Sequence, residues 1–466
     1  MPRCALGKLV RRFVPVAWVG CLILLGLVTL GPGCSAGRVG DVGDDPGGDG
    51  DMSKPQPGED MAQAGCRGRF CQVPKCGGSV TTEITGRLFA PNGVDPVPGA
   101  TVFVPVEAVP EFPSGLTCDL CNNLPYSVAT AITAFDGSFR LRGVPSGIFP
   151  VVLRLGRFQR VVQVETTPCV ENTIPYDTGT SLRGVRLPRK NGELSPQDRI
   201  PKIAVVSGDN DQIECVLKRI GIDELDMYNG RALGTKNPPP IAESGTLLTD
   251  EKTLNNYHIV IVNCTDNQFQ SLLGARNVQQ NLEAYVGRGG RLYVTDWAYD
   301  VIEQVPEFAS YICFEPQKTG GAPMCMGGPE PAMSADSYNS YGGQYKVLDD
   351  EMARWLAQFP SILDRQNRVK VDYSFVVVNK VTDDSMGKTK VWVDGPALSF
   401  GNRPQTVTLD YKSCGRIHYS TYNTEPNAVV SDSARWPNNC GTKLAPQERL
   451  LEYLFFNIAA CVGPPG

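Results

Sequence analysis

Histidine is almost missing from this sequence, with only His258 and His418 in 466 residues. Zinc sites and histidine-based proton relays usually draw on more imidazoles, so both kinds of site are disfavoured before any motif is considered. An excess of basic residues is missing too, because 44 Lys and Arg stand against 49 Asp and Glu, a net charge of -5. Nucleic-acid binding needs a clustered positive surface, so we expect no nucleic-acid partner. We find no internal repeat.

The first 34 residues have the order of a bacterial lipoprotein signal peptide. Basic residues up to Arg12 precede an apolar run over 14–30, and the small residues 31–33 precede Cys34. Such an order is typical of a secretory signal, and a cysteine at this place is the one whose thiol takes the lipid. We predict a signal peptide over 1–33 and lipidation of Cys34. The alternative is a transmembrane anchor of similar length.

The lipid anchor would place the protein on a membrane outside the cytoplasm. Ser35 rather than Asp follows the lipid site, and in similar lipoproteins this favours the outer membrane, facing the periplasm or the cell surface. The expected partners are therefore the membrane and an envelope polymer or another envelope protein. Residues 34–78 begin with a Gly-, Asp- and Pro-rich stretch that we expect to be a disordered, anionic tether. It ends in a cysteine-dense bridge from Cys66 to Cys76, which we expect to be stapled to the first domain by disulfides.

Sixteen cysteines occur, and 13 remain after Cys4, Cys21 and Cys34 are set aside. In an oxidising compartment these should mostly pair, and the odd number leaves at least one thiol over. Cys118 and Cys121 could form a local bridge or pair with Cys76 or Cys169. Cys264, which ends an apolar strand, could pair with Cys215. The candidates for disulfides are Cys66, Cys71, Cys76, Cys118, Cys121, Cys169, Cys215, Cys264, Cys313, Cys325, Cys414, Cys440 and Cys461.

Residues 79–190 are predicted to form an antiparallel β-sandwich, because short apolar strands recur with Gly and Pro turns between them. Two motifs carry a family resemblance: the Pro98-Gly99-Ala100 turn, and a run from Thr133 through Asp136-Gly137 to Gly147. This region resembles the carboxypeptidase regulatory-like (transthyretin-like) fold. The resemblance implies a stalk or binding module without catalysis.

Residues 199–466 alternate strands and helices with short Gly-containing links, which predicts a doubly wound, flavodoxin-like parallel sheet with helices on both faces. A long insertion containing two cysteines interrupts it at about 303–343. The region resembles a divergent class I glutamine amidotransferase-like domain. The resemblance rests on Ser207-Gly208-Asp209, on Ile259 to Cys264, on Gly289 to Asp296, on Gly415 to Asn423, and on Gln447-Glu448.

Catalytic members of that family carry a nucleophilic Cys at the sharp turn after the third strand and a His after the late strand. This sequence has Asp296-Trp297 and Asn423-Thr424 at those places. A carboxylate cannot replace a thiolate in acyl transfer, and Asn cannot relay a proton. The resemblance therefore implies a copy without amidotransferase or peptidase activity.

Acidic residues follow three successive strands of the predicted sheet. If these strands are parallel neighbours, their carboxylates meet at one edge, where oxygen-rich clusters can hold Ca²⁺ or Mg²⁺. Aspartates are also common helix caps at this position, and on that interpretation, which we prefer, no cofactor is expected. The candidate ligands are Asp209, Asp211, Asp266, Asp296 and Asp300.

Three functions are compatible with these features. The preferred hypothesis is a non-catalytic, envelope-anchored binding or structural module. A metal-assisted hydrolase of envelope polymers would use the acidic edge. A binding protein for a small ligand or glycan would use a crevice beside Trp297, Tyr299 and Asn423.

Overall fold

The computed structural model describes nine ranges of the chain, and the signal segment, Cys34 and the tether lie outside them. Asp209, Asp266, Cys121 and Cys325 also lie outside the described residues. All described residues belong to one compact unit, residues 63–466. None of the helices among them is long and apolar enough to cross a membrane. The ranges are 66–112, 115–120, 126–174, 184–208, 211–230, 242–264, 273–315, 341–424 and 440–462.

The first part of the described chain folds into two four-stranded sheets, here called the two-sheet region. Its strands are β1 (Glu83–Phe89), β2 (Thr101–Pro105), β3 (Ser127–Ile132), β4 (Ser138–Arg142), β5 (Gly147–Leu155), β6 (Phe158–Thr166), β7 (Glu171–Thr173) and β8 (Val185–Arg186). One sheet has the order β4-β1-β7, with β8 also pairing to β1, and the other has the order β3-β2-β5-β6. Successive side chains of a strand face opposite sides, so Phe139 and Leu141 of β4 point into a shared interior while Arg140 stays exposed.

The second part is built on a ten-stranded sheet, here called the central sheet. Its strands are β9 (Ile203–Val206), β10 (Asp226–Asn229), β11 (Ala242–Glu243), β12 (Ile259–Val262), β13 (Arg291–Thr295), β15 (Tyr341–Val347), β16 (Arg368–Ser374), β18 (Gly387–Pro396), β19 (Asn402–Tyr411) and β20 (Gly415–Ser420). Their order is β11-β10-β9-β12-β13-β20-β19-β18-β15-β16. Two further strands, β14 (Ile312–Glu315) and β17 (Val377–Val381), pair with each other in a separate ribbon.

The expectation of a purely parallel sheet is wrong for half of the central sheet. The six strands from β11 to β20 are mutually parallel, but β20, β19, β18, β15 and β16 pair antiparallel. Links of five residues (397–401) and three residues (412–414) join β18, β19 and β20. Such short links can join only antiparallel neighbours, because a parallel crossover needs a dozen or more residues.

The helices flank this sheet. They are α1 (Ile213–Arg219), α2 (Ser244–Leu248), α3 (Glu251–Leu254), α4 (Arg276–Gly287), α5 (Asp300–Glu303), α6 (Pro306–Ala309), α7 (Asp350–Leu356) and α8 (Pro446–Ala459). Pro446 opens α8, where its missing N–H would have had no partner within the helix. α1 ends at the left-handed Gly221, whose φ is 93°.

The parallel strands bury both faces, each in a different core. On β9, Ile203 and Val205 belong to a core shared with α1, α8 and the two-sheet region, whereas Ala204 and Val206 belong to a core shared with α2, α4, α5 and α6. Strands buried on both sides read as continuous apolar runs, which explains why β9 and β12 could be recognised in the sequence.

α8 lies between the central sheet and the two-sheet region. Phe158 of β6 packs edge-on against Phe455 at 6.2 Å between ring centroids, and it contacts Phe456 at 6.4 Å. A Cβ on Gly156, in the turn before β6, would lie 1.6 Å from the carbonyl oxygen of Ala459. The turn therefore requires glycine to pack directly on the end of α8.

Disulfides join parts of the chain that are far apart in sequence, which confirms that most of these cysteines pair. The bonds with both partners described are Cys66–Cys71, Cys76–Cys169, Cys118–Cys414 and Cys215–Cys440. Cys313 and Cys461 are also disulfide-bonded. The pairing of Cys264 with Cys215 was wrong, since Cys264 is a buried free thiol.

The predicted partners of Cys118, which were Cys121 in a local bridge or Cys76 or Cys169, were also wrong. Cys118 lies in a segment that reaches the turn between β19 and β20, so its partner is Cys414 on the central sheet. The neighbouring backbone follows the same path, because the N–H of Val462 donates to the carbonyl of Asp119 at 2.8 Å. This disulfide ties the two-sheet region to the central sheet.

Removing the Cys118–Cys414 disulfide by double substitution with Ser should lower the free energy of unfolding by about 2–5 kcal/mol, because the bond closes a long loop in the unfolded chain. Urea denaturation of the oxidised protein measures the change. The matched control is the double substitution of Cys66 and Cys71, which are only five residues apart and should lose clearly less. Equal losses would show that loop length does not govern the effect.

Candidate functional site

The carboxyl ends of the parallel strands carry a buried polar cluster centred on Asp211. This residue lies between β9 and α1 and is 2% exposed. Its Oδ1 accepts hydrogen bonds from Gln212 N at 2.7 Å, Thr424 N at 2.9 Å and Thr424 Oγ1 at 2.6 Å, and its Oδ2 accepts one from Thr295 Oγ1 at 2.5 Å. One carboxylate thus joins the start of α1, the end of β13 and the segment after β20.

Four hydrogen bonds do not fully offset the burial of this charge. Desolvation raises the pKa of Asp211 above its usual range, and the hydrogen bonds from Thr295 and Thr424 oppose that shift. An isolated charge at this depth would be far more costly. Because these donors occupy its oxygens, Asp211 holds three segments of the chain together and is not available as a metal ligand.

The carboxylate of Asp296, unlike that of Asp211, is buried without hydrogen-bond partners among the described residues. It follows β13 directly, in the left-handed region with a φ of 39°, and it is fully buried. Burial, with the nearby Asp211 adding to it, raises the pKa of Asp296 well above its usual range. The amides of Phe375 and Val376 and the Asn423 side chain oppose this shift, but among the described residues neither carboxylate oxygen has a partner in hydrogen-bond geometry.

The sharp turn after β13 therefore positions a buried carboxyl group at the place for which the sequence resemblance predicted a missing nucleophile. A left-handed conformation is uncommon outside glycine, and Asp is one of the residue types that tolerate it. The raised pKa favours the protonated, uncharged form of the Asp296 side chain. A neutral carboxyl group is not a nucleophile for acyl transfer.

The Cys264 thiol is not suited to act as the nucleophile either. Burial, together with the neighbouring Asp296 and Asp211, raises the pKa of its thiol well above the usual range. Reactivity belongs to the thiolate, which needs a lowered pKa. The backbone N–H of Cys264 donates to Thr295 Oγ1 at 2.9 Å, so the residue is held as part of the buried cluster.

Neither histidine supplies a base at this edge. His418 lies inside β20, fully buried, with no hydrogen-bond partner for either ring nitrogen among the described groups, and burial lowers its pKa to about 3. Its ring packs edge-on against Tyr293 at 4.9 Å. His258 precedes β12 at the opposite edge of the sheet, where burial and the charge of Arg157 lower its pKa to about 4.

The described residues that follow β9 and β12 lie against each other. A Cβ on Gly208 would lie 2.0 Å from the carbonyl oxygen of Cys264, so the segments that follow the two strands are in direct backbone contact. Open α/β sheets bind their ligands outside the carboxyl ends of the strands, where the strand order reverses.

The remaining sequence-predicted residues do not form one site. Tyr299 is buried against Phe314 at 5.1 Å and belongs to the core, so its side chain does not line an open crevice among the described residues. Trp297 is half-buried and packs edge-on against Phe375 at 6.1 Å. Asn423 is buried, and its side-chain oxygen has no partner among the described residues. Asp300 is buried in the first turn of α5.

A metal centre is not assembled by the described residues. Asp211 and Asp296 come near each other, but the described part of the chain contains no group of three His, Cys, Asp or Glu side chains suited to a metal ion. Both carboxylate oxygens of Asp211 already accept hydrogen bonds from protein donors. The two remaining candidates, Asp209 and Asp266, lie outside the described residues.

Sequence reasoning missed the residues that organise this edge. Thr295 and Thr424 hold Asp211, and Asn263 donates to Glu214 Oε2 at 2.7 Å. Gln447, at the start of α8, donates to the Asn423 carbonyl and accepts from the Asp372 N–H at 2.9 Å. Thr424 is 213 residues away from Asp211 in the sequence, and no local pattern could have identified such a partner.

The fold has solved neighbours of low similarity. A ThuA-like protein from Parabacteroides merdae has 12% sequence identity and a TM-score of 0.30, covering 56% of this chain and 91% of its own. A cytoplasmic protein from Salmonella typhimurium has 11% identity and a TM-score of 0.30, covering 55% of this chain and 97% of its own. A glutamine amidotransferase from Thermotoga maritima has 9% identity and a TM-score of 0.26, covering 48% of this chain and 75% of its own. No family model and no curated protein matches the sequence.

Substituting the two aspartates should have unequal effects. Asp211→Asn should lower the free energy of unfolding by about 2–3 kcal/mol, because the amide NH₂ group replaces one acceptor oxygen and leaves buried N–H or hydroxyl donors without an acceptor. Asp296→Asn should cost little at pH 5 and stabilise the protein at pH 8, since the stability that a carboxyl with a raised pKa contributes is lost as pH rises through that pKa. Urea denaturation at both pH values measures this, and equal losses in the two variants would contradict the assignment.

The buried imidazole of His418 should make folding sensitive to acid. Its pKa is about 3 in the folded protein against 6.5 ordinarily, so the unfolded chain takes up the proton first and stability falls as pH drops from 6.5 towards 3. His418→Leu should remove up to about 4 kcal/mol of that loss. Denaturation at pH 7 and pH 4 gives the slope. His258→Gln, as comparison, should remove less, and an unchanged slope in His418→Leu would refute the interpretation.

Proposed function

We propose that the protein is a non-catalytic, lipid-anchored protein of the outer membrane, facing the periplasm or the cell surface, which acts as a binding or structural module. The observation that carries this proposal is the buried polar cluster at the carboxyl edge. Asp296 is buried where a nucleophile would stand, burial raises the pKa of the Cys264 thiol, and Gly208 and Cys264 are in direct backbone contact.

The disulfides support an extracytoplasmic location. Cys76–Cys169 and Cys118–Cys414 bridge segments 93 and 296 residues apart, and such bonds persist in oxidising compartments. The cysteines of the first bridge join the segment after the tether to the two-sheet region. A tethered protein whose domains are stapled in this way is suited to a mechanical or scaffolding role in the envelope.

We also propose that the two-sheet region is a carboxypeptidase regulatory-like sandwich and that the second part is a divergent amidotransferase-like domain. Support for the second comes from the six parallel strands in the order β11-β10-β9-β12-β13-β20, which has the 3-2-1-4-5-6 pattern of doubly wound α/β sheets and not the 2-1-3-4-5 pattern of flavodoxin. Support for the first comes from the apolar interior that its two sheets share.

A small-ligand or glycan-binding function is the second candidate. The half-buried pair of Trp297 and Phe375 favours it, because aromatic faces beside polar groups suit sugar rings. The metal-assisted hydrolase stays a hypothesis, to be decided by metal content, since Ca²⁺ or Mg²⁺ would need ligands in addition to Asp296.

The proposed anchoring is tested by metabolic labelling with a palmitate analogue followed by membrane fractionation. The full-length protein should carry the label and sediment with membranes, and Cys34→Ser should lose both properties. Cys21→Ser, which removes another cysteine of the same apolar segment, is the matched control and should behave like the wild type. Membrane attachment of Cys34→Ser without label would instead favour the transmembrane anchor.

Elemental analysis of the same purified protein tests the absence of metal chemistry. We expect much less than one equivalent of any divalent metal per chain after dialysis. One tightly held equivalent, lost in Asp296→Asn, would overturn the non-catalytic proposal and favour the hydrolase.

A further inference from the structure

A ligand-sized cavity lies at the amino edge of the central sheet, on the side opposite to the carboxyl edge. It has a volume of about 610 Å³, within the range of small-molecule sites. Phe112, Gly115 and Arg157 of the two-sheet region form one wall. The residues around the start of β9 and β10 form the other. The cavity is thus a junction between two structural regions, where ligand sites are frequent.

Positive charge lines this cavity and is only partly engaged by the protein. Lys202 Nζ lies 4.8 Å from the centre of the Tyr257 ring and forms no ion pair among the described residues. Arg199 donates to the carbonyls of Pro196 and Asp198, and it has no carboxylate partner in the described part of the chain. These two side chains can therefore receive an anionic group without breaking an existing ion pair.

Hydrogen-bond acceptors line the same cavity. Glu224 accepts from Asn191 N at 3.0 Å and from Asn191 Nδ2 at 2.9 Å, in both cases through Oε2. Asp226 accepts from Tyr257 OH at 2.9 Å through Oδ2. A carboxylate that is held by neutral donors through one oxygen, as Glu224 is, keeps lone pairs available for the hydroxyl groups of a ligand.

His258 adds no charge to the cavity at neutral pH. Its Nδ1 accepts from the Lys202 N–H at 2.8 Å, and a nitrogen that accepts a hydrogen bond carries no proton. Burial and the charges of Arg157 and Lys202 keep its pKa at about 4. The lining therefore carries three cationic side chains, two carboxylates and a neutral imidazole.

The walls of the cavity are held in place before any ligand arrives. Arg157 donates to the Gly115 carbonyl at 3.1 Å, and the following segment is fixed by the Cys118–Cys414 disulfide. Strands β9 and β10 fix the other wall through their parallel pairing. A preorganised site loses little conformational freedom on binding, which favours affinity for a small ligand.

We propose that this cavity binds a small hydroxylated anion of the sugar-acid or sugar-phosphate class. Lys202 and Arg199 would receive the carboxylate or phosphate group. Glu224 would accept hydrogen bonds from ring hydroxyls, and Phe112 contributes apolar surface to the lining. The site is separate from the carboxyl edge, so it does not depend on the proposed absence of catalysis there.

Isothermal titration calorimetry of the full protein with glucuronic acid and with glucose 6-phosphate tests the proposal. At least one of these should bind, and glucose should bind at least tenfold more weakly than that anion. Lys202→Ala should weaken binding of the anion at least tenfold. The control Lys218→Ala, which removes an exposed lysine of α1, should leave it unchanged. Thermal melting of both variants should match the wild type, because both side chains are exposed.

Several outcomes of the same titrations would contradict the binding proposal. The proposal fails if neither anion binds at millimolar concentration, or if Lys202→Ala binds as the wild type does. It also fails if glucose binds as tightly as the anions, or if inorganic phosphate binds as tightly as glucose 6-phosphate, since the hydroxyl contacts would then contribute nothing. Binding of only one of the two sugar anions supports the site and identifies its anionic group.

Discussion

The structure depends on the burial of one face of the central sheet beneath α8 and the two-sheet region. Ile203 and Val205 on the sheet, Phe455 on the helix and Phe158 on β6 belong to the same continuous apolar core. Separating the two regions would expose these side chains, at roughly 25 cal/mol for each Å² of apolar surface. The two regions are therefore a single folding unit. Their junction fixes the geometry of both the Cys118–Cys414 disulfide and the amino-edge cavity.

Much of the fold could be predicted because its signals are local. The strands of the two-sheet region are short apolar segments between Gly and Pro turns, and β9 and β12 are apolar runs. β10 (Asp226–Asn229) and β18 (Gly387–Pro396) were not predicted. β10 is four residues of mixed polarity, and β18 carries lysines along its exposed positions. Both strands are specified by pairing with neighbours distant in sequence, which outweighs intrinsic preference. The mixed sheet direction follows from such pairing too.

The candidate site likewise has some features that local sequence predicts and others that depend on distant residues. Asp211 and Asp296 could be placed at one edge because parallel strands end there together. Their different environments could not be predicted, since Thr424 reaches Asp211 from 213 residues away, whereas the donors near Asp296 do not reach hydrogen-bond geometry. Disulfide connectivity also lacks a local signal. Cys264 follows an apolar strand just as a bonded cysteine could, and only the fold shows that Cys440, not Cys264, faces Cys215.

The carboxyl edge and the amino edge of the central sheet differ in what their polar side chains contact. At the carboxyl edge, buried groups bind one another: Asp211 is saturated by donors, and Gly208 contacts Cys264 directly. At the amino edge, the two-sheet region covers part of the sheet and leaves a polar cavity between the two walls. Desolvation explains the difference, because charges buried without a compensating partner are costly, whereas Lys202 and Arg199 keep access to solvent. If the proposed ligand binds, the chain recognises it at the junction between the two regions and not at the carboxyl ends of the parallel strands.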